Sequence, residues 1–148
     1  MRLTLLALAL SFGALVSGCA PRPALDAPPA SGSAVSPSGL TLTADKATYA
    51  RGETARLELR NGATAAATTG VLECAQIETW TGGAWVRSPE GNDRACIMIA
   101  LTLQPGETMD GTVPLDVPAG TYRLTQSVSL EGAEAGVAVS TASFRVGG

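Results

Sequence analysis

Histidine is absent from the chain. Without it there is no Ser-His-Asp or Cys-His mechanism, and no imidazole ligand for the usual zinc and copper sites. Lysine occurs once, as Lys46, and no Ser-x-x-Lys pattern surrounds it. The three methionines make no copper-binding patch: Met1 opens the chain, and Met98 and Met109 fit packing roles. A glycosidase needs two carboxylates at a set separation, and nothing in the spacing of the acids singles out a pair. No helical pattern follows the glycine-rich pieces, so they read as turns rather than phosphate loops. No apolar run reaches the ~20 residues a membrane-spanning helix needs. These absences point away from an enzyme and away from a metal or cofactor.

Cysteine is scarce and odd in number: Cys19, Cys74 and Cys96. Cys19 closes the N-terminal segment. Met1-Arg2 opens it with one positive charge, and a predominantly apolar run follows from Leu3 to Val16. A charge, a short apolar stretch and a small-residue end make a secretory signal. A buried core helix is the bland alternative, but the proline-rich chain that follows offers it no core. The segment Val16-Ser17-Gly18-Cys19 resembles the bacterial lipobox, with valine where leucine is commoner. The resemblance implies that the thiol of Cys19 is acylated and that cleavage leaves Cys19 as the new first residue. Residues 1–18 are then the lipoprotein signal peptide, and the membrane is a partner through lipid on Cys19. More than one acyl chain gives stable anchoring. Ala20 stands where an aspartate tends to hold Gram-negative lipoproteins at the inner membrane. The expected address is therefore the cell envelope, at the periplasmic side of the outer membrane if the source is Gram-negative.

Residues 19–38 read as a linker. "APRPALDAPPASGSAVSPS" is rich in proline, alanine and serine and has no aromatic residue. It cannot bury enough apolar area to offset its chain entropy. Pro-rich chain extends by about 3.1 Å per residue, which suits a semi-rigid spacer. A Pro-rich recognition ligand is the rival reading. Residues 39–148 remain as one ordinary domain. Eight basic and twelve acidic residues give it a net charge of −4, which argues against nucleic acid and against electrostatic binding to anionic lipid.

Period-two alternation dominates this domain. "GLTLTAD", "ETARLELRN", "VLECAQIETW", "AWVRS", "ACIMIALTL", "TMDGTVPLDV", "TYRLTQSVSL" and "VAVSTASFRV" read as strands separated by turn residues. "ACIMIALTL" places Ile97, Ile99, Leu101 and Leu103 on one face. In "TYRLTQSVSL", Tyr122, Leu124, Val128 and Leu130 align, with Gln126 breaking the stripe. About seven to eight short strands imply an all-β fold, an immunoglobulin-like antiparallel β-sandwich.

The hairpin "ETWTGGAWVR" is the sharpest local feature. Gly82-Gly83 suits a two-residue turn with positive φ. That register opposes Trp80 with Trp85, Thr79 with Val86, and Glu78 with Arg87. The tryptophans then form a close non-hydrogen-bonded pair, with opposite charges beside them. Trp80, Trp85, Arg87 and Glu78 are the candidate binding residues, against the plainer reading that they only close the hairpin. The same parity puts Cys74 on the face of Glu78 and Trp80, and Cys96 opposite the Ile97–Leu101 stripe. In an oxidising compartment this predicts a Cys74–Cys96 disulfide. It would close a loop of about 22 residues and stabilise by roughly 3 kcal/mol. "PEGNDR" offers Glu90, Asn92 and Asp93 as calcium ligands, but it lacks alternating acid spacing and reads as a turn.

"DKATYARGETARLELRN", "LECAQIETWTGGAWV", "LQPGE" and "VPAGTYRL…FRV", in that order, resemble a bacterial Ig-like family. The opening is also similar to a macroglobulin-type domain, and the whole to a bacterial proteinase-inhibitor domain. The resemblance implies a sandwich and brings no catalytic residue. "VPAGTYRL" is similar to the tyrosine corner of sandwiches, which gives Tyr122 a structural role. The expected function is a non-enzymatic envelope lipoprotein whose Ig-like domain has a binding or structural role, with an envelope protein or glycan as partner. The alternative is a protease inhibitor acting through "RSPEGNDRAC", a loop clamped at Cys96.

Overall fold

The computed structural model describes residue 36 and residues 38–97 and 99–148. The readings at Cys19, the signal segment, the linker up to residue 35 and Met98 fall outside the described residues. Eleven strands form among those described: β1 (Leu40–Ala44), β2 (Thr48–Ala50), β3 (Thr54–Asn61), β4 (Ala67–Thr69), β5 (Gln76–Trp80), β6 (Trp85–Arg87), β7 (Leu101–Leu103), β8 (Thr108–Pro114), β9 (Gly120–Leu130), β10 (Val137–Ser140) and β11 (Phe144–Gly147). A 3₁₀ turn covers Leu72–Cys74. No helix among the described residues is long and apolar enough to cross a membrane.

Alternation builds the first sheet. In β3, Ala55, Leu57, Leu59 and Asn61 are buried, and the residues between them are exposed. A strand with one apolar face needs a second layer to cover it. β3 pairs antiparallel with β1 on one side and β8 on the other. The second sheet is organised around β9, the longest strand. One edge of β9 pairs with β11 and then β10. Its other edge pairs with β5 and then β4. β6 extends the sheet from β5, β7 extends it from β4, and β2 lies parallel to β11.

The core lies between the sheets. Leu40, Leu42, Leu57, Leu59 and Val113 meet it from the first sheet, and Ile77, Tyr122, Leu124, Val128, Val139 and Phe144 from the second; all are buried. Each fully buried aliphatic side chain is worth about 1.5–3 kcal/mol. Gly111 sets the local spacing. A Cβ there would lie 2.4 Å from Cβ of Leu72, so the 3₁₀ turn presses on β8 only because that strand has a glycine.

The all-β sandwich matches the sequence reading, with more and shorter strands than the seven or eight expected. "VAVSTASFRV" is two strands, not one. Thr141 breaks it: its amide donates to the Leu124 carbonyl at 2.8 Å, and its hydroxyl accepts from the Leu124 amide at 3.0 Å. The side chain thus stands in for a backbone partner, and the chain re-enters the ladder at Phe144. β2 and β4, of three residues each, are too short for a periodic signal.

"ACIMIALTL" is also corrected. Only Leu101–Leu103 is strand, paired with β4. Ile97 and Ile99 are exposed rather than core-facing. β4 ends at Thr69, which pairs with Leu101, so it offers no partner to the residues before. The Ile99 amide instead donates locally to the Ile97 carbonyl at 3.0 Å.

Candidate functional site

The hairpin has the expected register: Glu78 opposite Arg87, Thr79 opposite Val86, Trp80 opposite Trp85. Gly82 alone takes positive φ, at 84°. Thr81 closes the turn through its amide and hydroxyl, both donating to the Ala84 carbonyl at 3.1 and 3.0 Å. The tryptophan ring centroids are 5.2 Å apart, tilted by 57°. Both rings are half-buried on the outer face of the second sheet.

Glu78 does not pair with Arg87, although they are opposite in register. Arg123 of β9, its neighbour on the other side, takes the carboxylate: its Nε donates to Glu78 Oε2 at 2.5 Å. The Thr125 hydroxyl donates to the same oxygen at 3.0 Å. The Arg123 guanidinium also lies 4.8 Å from the centroid of Trp85. It therefore links β9 to both strands of the hairpin. Such a cation over an indole contributes about 0.5–2 kcal/mol. The consequence for Arg87 is that it stays exposed, with no ion pair among the described residues. Sequence reasoning missed Arg123. The signal was available, since alternation in "TYRLTQ" turns Arg123 and Thr125 outward when Tyr122 and Leu124 turn inward.

The same face continues past Gln76 and Thr125 to the disulfide. Cys74 and Cys96 are joined, as predicted, with Cα atoms 5.7 Å apart. The strand parity behind that prediction is corrected. Cys74 ends the 3₁₀ turn, and Cys96 lies in the irregular chain between β6 and β7. The bridge fastens that chain to the sheet. Asn92 does the same one turn earlier. Its side-chain oxygen accepts from the Ile77 amide at 2.8 Å, and its side-chain nitrogen donates to the carbonyls of Ile77 and Ser88, both at 2.9 Å. Asn92 is thus a clamp for the loop, while Glu90 and Asp93 are exposed. Among the described residues, no cluster of three potential metal-ligating acids or cysteines forms.

Between the disulfide and β9 lies a cleft of about 420 Å³. Arg87, Arg94, Gln76 and Ser127 help line it, and no carboxylate does. Arg94 donates from Nη2 to the Ala75 carbonyl at 2.7 Å. Its Nε and Nη1 are buried and have no hydrogen-bond partner among the described residues. Burial pushes its pKa down, and the charge of Asp93 only partly opposes that. No sequence pattern marked Arg94.

Tyr122 behaves as a tyrosine corner. Its hydroxyl donates to the Pro118 carbonyl at 2.9 Å. Gln126, which interrupts the apolar stripe of β9, is buried with its side-chain amide on the Thr69 hydroxyl at 2.8 Å. Both are structural roles.

Comparison with known proteins adds the following. No curated protein matches the chain. Among solved structures, the ASH / PapD-like domain of human CEP192 (PapD-like domain 7) is similar at 16% identity, over 93% of this chain and 94% of that one, with a TM-score of 0.32. A family model described as a bacterial Ig-like domain matches residues 36–144. That match spans nearly the whole sandwich, with its hairpin, bridge and tyrosine corner, and the chain belongs to the bacterial Ig-like domain family.

Proposed function

We propose that this protein is a lipid-anchored component of a bacterial cell envelope that presents a non-enzymatic Ig-like domain. In this reading Cys19 carries the lipid, residues 19–38 hold the domain away from the bilayer, and the outer face of β5, β6 and β9 meets an envelope protein or glycan. The lipobox-like Val16–Cys19 segment supports the anchor. The observation that carries the binding role is the half-buried tryptophan pair with Arg123 over Trp85 and the uncommitted Arg87 beside it. Tryptophan and arginine are enriched where binding energy concentrates.

The anchor is tested by Cys19→Ser, which is expected to release the protein from membranes or leave its signal uncut. An unmodified, soluble mature chain by intact-mass analysis would remove the lipid from this account. The face is tested by Arg87→Ala, which touches no ion pair among the described residues. Loss of envelope capture at unchanged melting temperature is the expected result. Capture equal to the parent would leave the face a purely structural device.

The second reading, protease inhibition through the segment at residues 87–96, draws on one observation. That loop is clamped by both Asn92 and Cys96, and an inhibitor needs a loop held rigid before binding. A panel of proteases assayed with the full chain decides it: no inhibition of any of them ends this reading.

A further inference from the structure

The cleft beside the disulfide combines features that the tryptophan face does not explain. Its charged lining residues are both arginines. Arg87 stands exposed at the rim. Arg94 lies deeper, one side-chain nitrogen on the Ala75 carbonyl and two without a hydrogen-bond partner among the described residues. The other polar lining groups are the amides of Gln76, Asn92 and Gln126 and the hydroxyls of Thr125 and Ser127. Glu78, the nearest acid on the sheet, is already engaged by Arg123 and Thr125.

Unsatisfied nitrogens on a guanidinium are costly to bury, because the group keeps its charge and loses its water. An isolated cation in such a place is a local conflict that a folded chain normally resolves with an acid. Here no carboxylate lines the cleft, and the exposed neighbour Asp93 answers the charge only in part. An anion entering it would find two positive charges, neutral hydrogen-bond donors and no carboxylate to repel it. Planar guanidinium groups match carboxylate and phosphate oxygens well, and the hydrogen bonds they make to them are about twice as strong as neutral ones.

We propose that this cleft is an oxyanion-binding site. Arg94, the deeper of the two, and Arg87 at the rim hold a carboxylate or phosphate group of a ligand. The Gln76 amide and the Ser127 hydroxyl donate further hydrogen bonds, since the Asn92, Gln126 and Thr125 donors are committed within the fold. Entry requires the Arg94 side chain to turn toward the cleft, since its Nε and Nη1 are buried. The disulfide and the Asn92 clamp fix the backbone on which it turns. The domain's net charge is negative, so attraction is local rather than long-range, and binding weakens with salt. The site shares Arg87 with the proposed binding face but needs neither the lipid anchor nor the tryptophan pair, and the anion titration read at Arg94 tells the two apart.

The full chain, bridge intact, is titrated with inorganic phosphate and separately with acetate. Sodium chloride at matched ionic strength is the control, and the Nε–Hε resonances of the arginines are followed by NMR. A saturable shift at Arg94 with phosphate, acetate or both, and none with chloride, is expected. Phosphate alone would identify a phosphorylated ligand, and acetate alone a carboxylated one. Arg87→Gln, at an exposed position, should weaken the apparent affinity about tenfold, equivalent to ~1.4 kcal/mol. Arg94→Gln should abolish it while the hairpin resonances of Trp80 and Trp85 stay in place. Absence of a saturable shift with either anion overturns the proposal, as does equal affinity in the parent and Arg87→Gln.

Discussion

Asp45 gathers the start of the domain around one carboxylate. Its Oδ1 accepts the Tyr49 hydroxyl at 2.8 Å and the Arg56 amide at 2.9 Å. Desolvation pushes its pKa up, but those hydrogen bonds outweigh it and hold the carboxyl below its usual value. Glu53 is lowered too, first by its hydrogen bond with Lys46 and then by the Ala50 amide. Tyr49 is raised, by burial first and then by its bond to Asp45. The signs fix the pH profile. A depressed carboxyl stabilises above its unfolded pKa, near 4, and that contribution is lost as pH falls through the lower folded value. A raised phenol stabilises below about 10 and loses its contribution as pH rises beyond. Equilibrium unfolding across pH should therefore show a plateau falling at both ends. Asp45→Asn should flatten the acid limb; an unchanged limb would place the acid sensitivity elsewhere. Tyr122→Phe removes only the hydroxyl that bonds Pro118. It should cost about 1 kcal/mol, seen as a melting temperature lower by several degrees.

At the level of the strand and hairpin, the predictions turn on what the second layer demands. Gly111→Val places a branched side chain against Leu72 and should destabilise by about 1–3 kcal/mol, measured by urea unfolding. Trp85→Ala removes both the Trp80 contact and the seat of Arg123. It should lower stability by roughly 1–3 kcal/mol whether or not a partner is present. Stability equal to the parent would mean that Arg123 holds the hairpin through Glu78 alone. The hairpin was legible in the sequence because its signals are local: a Gly-Gly turn and three opposed pairs lie within ten residues. β3 was legible for the same reason, being a complete alternation. Ile97 and Ile99 were not. They alternate like core residues, but alternation reports a pattern and not whether a neighbouring strand exists to use it. The bridge shows the converse. Its partners were identified from compartment and outward placement, while the 3₁₀ turn that presents Cys74 left no periodic trace. Glu78 shows the limit of reading one hairpin by itself: its register partner is Arg87, yet a third strand supplied the arginine it binds.

For the whole molecule, the two sheets differ in what they present. The first is small and its outer face carries alternating Arg56, Glu58 and Arg60, a plain solvated surface. The second carries the tryptophans, the ion pair, the cleft and the bridge on one continuous face. Mutations that alter ligand capture should therefore cluster on β5, β6, β9 and the chain that follows β6. A scan that finds them instead on β1, β3 or β8 would reverse the orientation proposed for the domain. Alkylation of the denatured, unreduced protein should label neither Cys74 nor Cys96. Loss of the bridge by Cys96→Ser should cost roughly 3 kcal/mol.

The placement of that bridge also determines how the domain responds to being cut. Cys74 and Cys96 bracket the entire β5–β6 hairpin. A peptide bond broken between them separates the polypeptide into two pieces that remain one molecule. Arg87 is exposed within this span and is a natural point for trypsin. Brief digestion should give a species heavier by one water that runs as a single band without reductant and as two with it. The bridge holds the severed pieces together, so neither is lost while the disulfide stays oxidised. A nick here leaves one molecule rather than two fragments, and survival of the clipped form would depend on the redox state of its surroundings.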